Sequence, residues 1–373
     1  MKHWRTLFHV ILSVAALVTP SAAWADVAYT LTPLGVAGQT YSEAFGMNDS
    51  GWAVGMTGVS GVSEYAFLYD GTRVRSLGAP VGKSSEAISV NNAGQVVGTI
   101  YSGDFTSRAF MYDGTSMRDL GTLGGTSSEA FGINDQGWIV GRAQTANGGY
   151  GAFVYDGASM RNINDLPGVP SGMYMSTAWA VNESGWIAGF GVGSGSGMAA
   201  LLYDGTTMRD LGSLGGSYSL AVGINDQGWV VGSSRLANGV DHPFLYDGAG
   251  MRDLSAPSDL HGEAFGVNNA GLVVGTATSS KGNQYAFLYD GSRMLDLNSL
   301  IDPALGWKLT SARAINDSGS IVGYGKDANG RTRAFLLTQT AVPEPSSLLL
   351  LGLGVAALCA GRRLSRAANF QVS

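Results

Sequence analysis

Glutamates recur at one spacing in this chain of 373 residues. Glu43, Glu86 and Glu129 stand 43 residues apart, and Glu263 falls in the same register further on. Carboxylates gathered in such a series would bind a cation, or would supply an acid and a base for cleaving a glycosidic bond. Polar residues at solvated strand ends would show the same spacing with neither role. Tryptophans form a second series. Trp52, Trp138, Trp186 and Trp229 each follow a glycine directly, and Gln95, Leu272 and Ser320 take that place elsewhere. Tolerance of Gln and Ser predicts partial exposure. An exposed indole stacks on a sugar ring or anchors a protein partner; the other reading is that each indole covers the edge of its own element.

The remaining chemistry is sparse. Residues 26–342 hold two histidines, His242 and His261, and no cysteine, because the single cysteine of the chain is Cys359. That inventory excludes a His-rich metal site and a Cys-His nucleophile, and a lone thiol makes no disulfide. No Gly-x-Ser-x-Gly elbow is present. The glycine-rich run 191–197 has neither a following helix pattern nor the Lys-Ser/Thr of a phosphate loop, so it reads as a loop. Asn48, Asn182 and Asn316 fit a glycosylation sequon but coincide with a repeated turn, and the dense Asp spacing of a calcium loop is missing. No metal and no cofactor is expected. Residues 26–342 carry 17 basic and 27 acidic residues, a net charge of −10. Such a domain repels phosphate backbones, so nucleic acid is not an expected partner.

These residues sit in a repeat. An Asn with Gly three places later occurs at Asn48, Asn91, Asn134, Asn182, Asn225, Asn268 and Asn316, at intervals of 43, 43, 48, 43, 43 and 48. A second motif keeps step: Ala66-Phe67-Leu68-Tyr69-Asp70-Gly71 and its counterparts from Ala109, Ala152, Ala200, Pro243 and Ala286, with a degenerate copy at Ala334. Each unit has four short strand signals joined by Asn-, Asp- and Gly-rich turns, residues that tolerate the positive φ of hairpins. Four strands in about 43 residues match one blade of a β-propeller. The first three strands are nearly all apolar; the fourth alternates, as in Met117-Arg118-Asp119-Leu120, and belongs at the outer edge. The seventh unit lacks a fourth strand, and an unmatched strand, 29–35, precedes the first unit. Their pairing predicts an all-β, seven-bladed ring closed by the two ends of the chain. An open solenoid of β-hairpins is the alternative.

The ends read differently. Lys2 and Arg5, an apolar stretch over 7–18, Pro20 and Ala23-Trp24-Ala25 form a secretory signal, with cleavage expected between Ala25 and Asp26; a retained anchor is disfavoured by the short apolar stretch. At the other end, Pro343-Glu344-Pro345 precede an uncharged stretch, 346–361, and then Arg362, Arg363 and Arg366. That order resembles a PEP-CTERM sorting tail. The resemblance implies export in a Gram-negative bacterium, transient membrane anchoring and processing by an exosortase. The expected division is a signal peptide over 1–25, the propeller over 26–342 and the sorting tail over 343–373. The repeat also resembles the HAF family of extracellular repeat proteins, through Ala-Phe-Leu-Tyr-Asp-Gly, 117–125 and Gly132-Ile133-Asn134-Asp135-x-Gly137; that family's His before Ala-Phe survives here only as His242. The resemblance implies secretion and a repeat fold. Together these readings point to a monomeric, surface- or matrix-associated binding module for exopolysaccharide, another envelope component or a surface protein. The alternative is a carbohydrate-active enzyme using the glutamates.

Overall fold

The computed structural model describes residues 29–59, 63–195, 197–255 and 259–340. Ala25, Asp26, Pro343, Glu344, Pro345, Arg362 and Arg363 lie outside them. Among the described residues, seven four-stranded antiparallel sheets form a propeller. Six blades take their strands consecutively, as in Tyr41–Met47, Ala53–Val59, Ser63–Tyr69 and Val74–Gly78. The seventh joins Lys308–Ile315, Ile321–Lys326 and Thr332–Gln339 to the strand Tyr29–Leu34 from the start of the chain. The register runs from Tyr29 opposite Gln339 to Leu34 opposite Ala334, so the ring is closed and the open-solenoid alternative is excluded. No helix among the described residues is long and apolar enough to cross a membrane.

Local chemistry explains the blade. In the first turn the Asn48 side chain accepts from the Trp52 N–H at 2.8 Å, and Gly51 takes φ +78° to close the hairpin. The turn into the outer strand is held by Asp70, whose Oδ1 accepts from the N–H groups of Thr72 and Arg73 at 3.0 Å each. Hydrogen bonds, first among them that from the Thr72 hydroxyl, hold the Asp70 carboxyl down at about 2. Between blades the third strands contribute Phe67, Phe110, Phe153, Phe244, Phe287 and Phe335, all fully buried. A serine hook repeats across the seams: Ser85 Oγ donates to Gly78 O at 2.6 Å and accepts from Ala66 N. At the closing seam, Ser42 Oγ does the same with Leu34 O at 2.7 Å and Ala334 N at 3.0 Å.

Each innermost strand carries a register shift between its Ala and the small residue two places on, as between Ala44 and Gly46 or Ala312 and Ala314. The intervening residue is a bulge, which leaves the ladder and re-aims its side chain. The small residue two places on stands beside it along the axis. Gly46 is small because a Cβ there would lie 2.3 Å from the Ile88 carbonyl oxygen of the next blade.

Candidate functional site

The bulge residues build the centre. Phe45, Ile88, Phe131, Trp179, Val222, Phe265 and Arg313, one per blade, line an axial cavity of about 580 Å³. Phe131 and Trp179 stack with ring centroids 4.2 Å apart, and the Trp179 Nε1 is buried with no hydrogen-bond partner. The Arg313 guanidinium lies 3.7 Å from the Phe265 ring centroid and 5.8 Å from that of Phe45. A cation over an aromatic face is attracted by the ring quadrupole. Burial lowers the Arg313 pKa, while Tyr324, Glu263, Glu43 and Glu86 oppose that shift.

At one end of the channel, the four predicted glutamates stand at equivalent positions, each half-buried. Glu86 and Glu263 reach the axial cavity. Burial raises the Glu86 carboxyl, the Tyr101 hydroxyl that donates to it lowers it, and the charges of Glu129, Glu64 and Glu43 add to the rise. Burial likewise raises Glu43, which is hydrogen-bonded to Tyr41, and Glu263, which Arg313 partly offsets. Glu129 differs: Arg142 pairs with it at 2.8 Å and Ser107 donates to it at 3.2 Å. From Glu263 and Arg313 a polar groove of about 540 Å³ runs outward past His261, Asp241, Tyr218 and Tyr324. Among the described residues no cluster of His, Cys, Asp and Glu has the arrangement of a metal site.

The other end is closed by the turns. Asn48 Nδ2 donates to Asn91 O, Asn91 to Asn134, Asn134 to Asn182, and so through Asn225, Asn268 and Asn316, which returns to Asn48 O at 3.2 Å. A belt of seven amides circles the axis. The Nδ2 atoms of Asn48, Asn182 and Asn316 are committed to it and buried. Beside it, Asp49, Asn92, Asp135, Glu183, Asp226, Asn269 and Asp317 form a second ring, each backbone N–H donating to the side chain of the next.

The tryptophans belong to the seams near these turns. Trp52, Trp138, Trp186 and Trp229 are half-buried, each against the turn glycine of the following blade. A Cβ on Gly94 would meet the Trp52 ring at 2.6 Å, and one on Gly228 would meet the Trp186 ring at 2.4 Å. Where Ser320 replaces tryptophan, the following Gly51 has open space instead.

Sequence reasoning missed the bulge column, although it weighed the glutamates two places before it. Its residues are too varied to register as a motif. The signal available was its mostly large side chains, Arg313 included, between two columns of small ones. The amide belt was missed because each Asn was fully accounted for by its own turn.

Residues 210–334 match a family described as "Protein of unknown function (DUF3466)", about a third of the chain. Residues 341–363 match the PEP-CTERM protein-sorting motif, which implies an exported protein and is processed by exosortase. No curated protein matches the chain significantly. Among solved structures, the β-propeller domain of the Trilobed protease from Pyrococcus furiosus, described as having an open velcro topology, aligns with a TM-score of 0.52 at 8% identity, over 82% of this chain and 99% of that one. TolB from Acinetobacter baumannii aligns with a TM-score of 0.42 at 12% identity, over 74% of this chain, which spans 60% of the TolB chain. The Pyrococcus likeness is one of fold.

Proposed function

We propose that the protein is a non-catalytic binding module of the cell surface or matrix, recognising exopolysaccharide or another envelope component at the glutamate end of its channel. The observation that carries this is the axial cavity: aromatic walls meet Glu86, Glu263 and Arg313, the mixture of apolar faces and convergent polar groups that binding pockets use. The protein acts as a monomer after transient anchoring and exosortase processing, and its repeats are of the HAF type. A carbohydrate-active enzyme is the second reading. It is favoured by the raised carboxyls of Glu43 and Glu86, since acids tuned upward by burial are what glycoside cleavage needs.

A polysaccharide array scored for retention and for released product separates these readings. Retention without release is expected. Changing Glu43, Glu86 and Glu129 together to Gln should weaken retention about tenfold, the loss of one or two charge-assisted hydrogen bonds. Release of sugar that this variant abolishes would install the enzyme reading. Changing Trp138, Trp186 and Trp229 to Ala should leave retention intact. A folded triple variant that no longer binds would move the site to the indole row. For the tail, Pro343-Glu344-Pro345 replaced by alanines should leave the protein in the membrane fraction with its tail uncut; removal of the tail as before would overturn the sorting role.

A further inference from the structure

Two opposite charges face the same axial cavity, and neither is hydrogen-bonded or ion-paired to a described residue. Arg313 and Glu263 both line it, and both also line the groove that leads outward from it. They sense one another electrostatically. Yet no described residue lies within hydrogen-bonding or ion-pairing distance of the Arg313 guanidinium, whose neighbours are the rings of Phe265 and Phe45. Glu263 likewise makes no hydrogen bond to a described residue. The other arginines divide between rings and carboxylates: Arg252 lies over the Tyr289 ring, and Arg75 and Arg118 donate to tyrosine hydroxyls. Arg108, Arg142, Arg209, Arg235 and Arg331 each pair with a carboxylate at 3.0 Å or less, on the surface where pairing contributes least. The half-buried Arg313 guanidinium therefore presents its donors to the channel without a protein acceptor, and the buried Trp179 Nε1 on the same wall is also without a partner; unpartnered polar groups converging on a cavity suit a bound ligand.

We propose that Arg313 and Glu263 form the binding subsite for one carboxylate-bearing sugar residue of an acidic polysaccharide. The guanidinium fork matches a carboxylate with two parallel hydrogen bonds. Glu263 accepts from hydroxyls of the same sugar ring, the Phe265 ring backs the guanidinium, and the Phe45 ring packs against the sugar's C–H face. The rim continues the match: Tyr41, Tyr101, Glu43 and Glu86 are oxygen acceptors and hydroxyls suited to neighbouring sugar hydroxyls. The same carboxylates also limit the charge admitted. A single acidic residue is balanced by Arg313, while a run of them would meet Glu43, Glu64 and Glu86. The subsite therefore favours a polymer in which acidic residues alternate with neutral ones. This assignment rests on the reading of the channel as a polysaccharide-binding site.

Calorimetric titration of the full chain tests it with three probes: an oligosaccharide of alternating glucuronate and glucose, a glucose oligosaccharide of equal length, and a short peptide with a free C-terminal carboxylate. The alternating probe should bind at least about tenfold tighter than the neutral one, the worth of one charge-assisted pair. Arg313→Gln should remove that preference, so that the alternating and neutral probes bind alike. Arg313→Lys, which keeps the charge and loses the fork, should retain part of it, and it serves as the second variant if the Gln form does not fold. Glu263→Gln should weaken both sugars. Equal affinity for the two sugars would overturn the acidic subsite while leaving the channel as a site for neutral polymers. No binding of either sugar, with no polysaccharide retained on the array, would overturn the channel reading itself. Tighter binding of the peptide than of either sugar would assign Arg313 to a protein terminus and overturn the sugar subsite.

Discussion

Deletion of residues 26–35 should abolish cooperative unfolding of the ring or lower its melting temperature by more than 10 °C, an effect of roughly 5 kcal/mol for so large a domain. The strand Tyr29–Leu34 pairs along its whole length with Thr332–Gln339. Its removal strips six residues of ladder from an edge that the rest of the chain cannot cover. It uncovers the core around Leu34, which is 1% exposed and packs with Ala44, Phe67 and Leu336. It also leaves the hook of Ser42 without its acceptor. Burying one leucine contributes about 1.5–3 kcal/mol and each net hydrogen bond about 1, so the sum rivals the 5–15 kcal/mol that holds an ordinary domain together. The check is thermal unfolding followed by circular dichroism. A trimmed protein melting at the same temperature as the parent would show that the ring does not depend on its closing strand. Addition of the missing segment as a peptide should restore part of the loss, since the vacated edge is a ready template.

Asn182→Ala should cost about 2–4 kcal/mol in urea unfolding. The Asn182 side chain is 4% exposed. Its Nδ2 donates to Asn225 O at 3.0 Å, and its Oδ1 accepts from Trp186 N at 2.8 Å. Truncation orphans the Trp186 N–H, at about 1–3 kcal/mol, and removes one net hydrogen bond of about 1 kcal/mol across the seam, the Asn225 carbonyl keeping only that from the Gly228 N–H. Asn182→Asp should be worse, because it sets an acceptor against the Asn225 carbonyl. Ser50→Ala, at an exposed site of an equivalent turn, is the control and should stay within about 0.5 kcal/mol. If Asn182→Ala costs no more than the control, the amide belt is an ornament of the turns and does not bind blades together.

The same asparagines show where sequence reading stops. Asn48 and its six counterparts announce hairpins because the turn is local: the side chain meets an N–H four residues on. Their second bond crosses 43 or 48 residues, or 268 at the closing seam, and no local signal encodes it. The tryptophans follow the same logic. A column that accepts Trp52, Gln95 and Ser320 reads as partly exposed, and the half-buried indoles agree with that much. That each indole covers the next blade's glycine depends on how two blades meet.

What the chain's letters determine alone is whatever repeats or lies within a few residues: seven units, four strands in each, the turn residues, the outer edge, and the spare strand that closes the ring. Those follow from period-2 patterning and positive-φ turns, which act over a handful of bonds. The tertiary structure decided what faces the axis. One bulged residue per inner strand breaks the alternation that sequence reasoning relies on and turns the side chain of Phe45, Trp179 or Arg313 into the channel. Whether Arg313 would find a partner was likewise settled in space, because the groups around it come from four blades that converge only when the ring is closed.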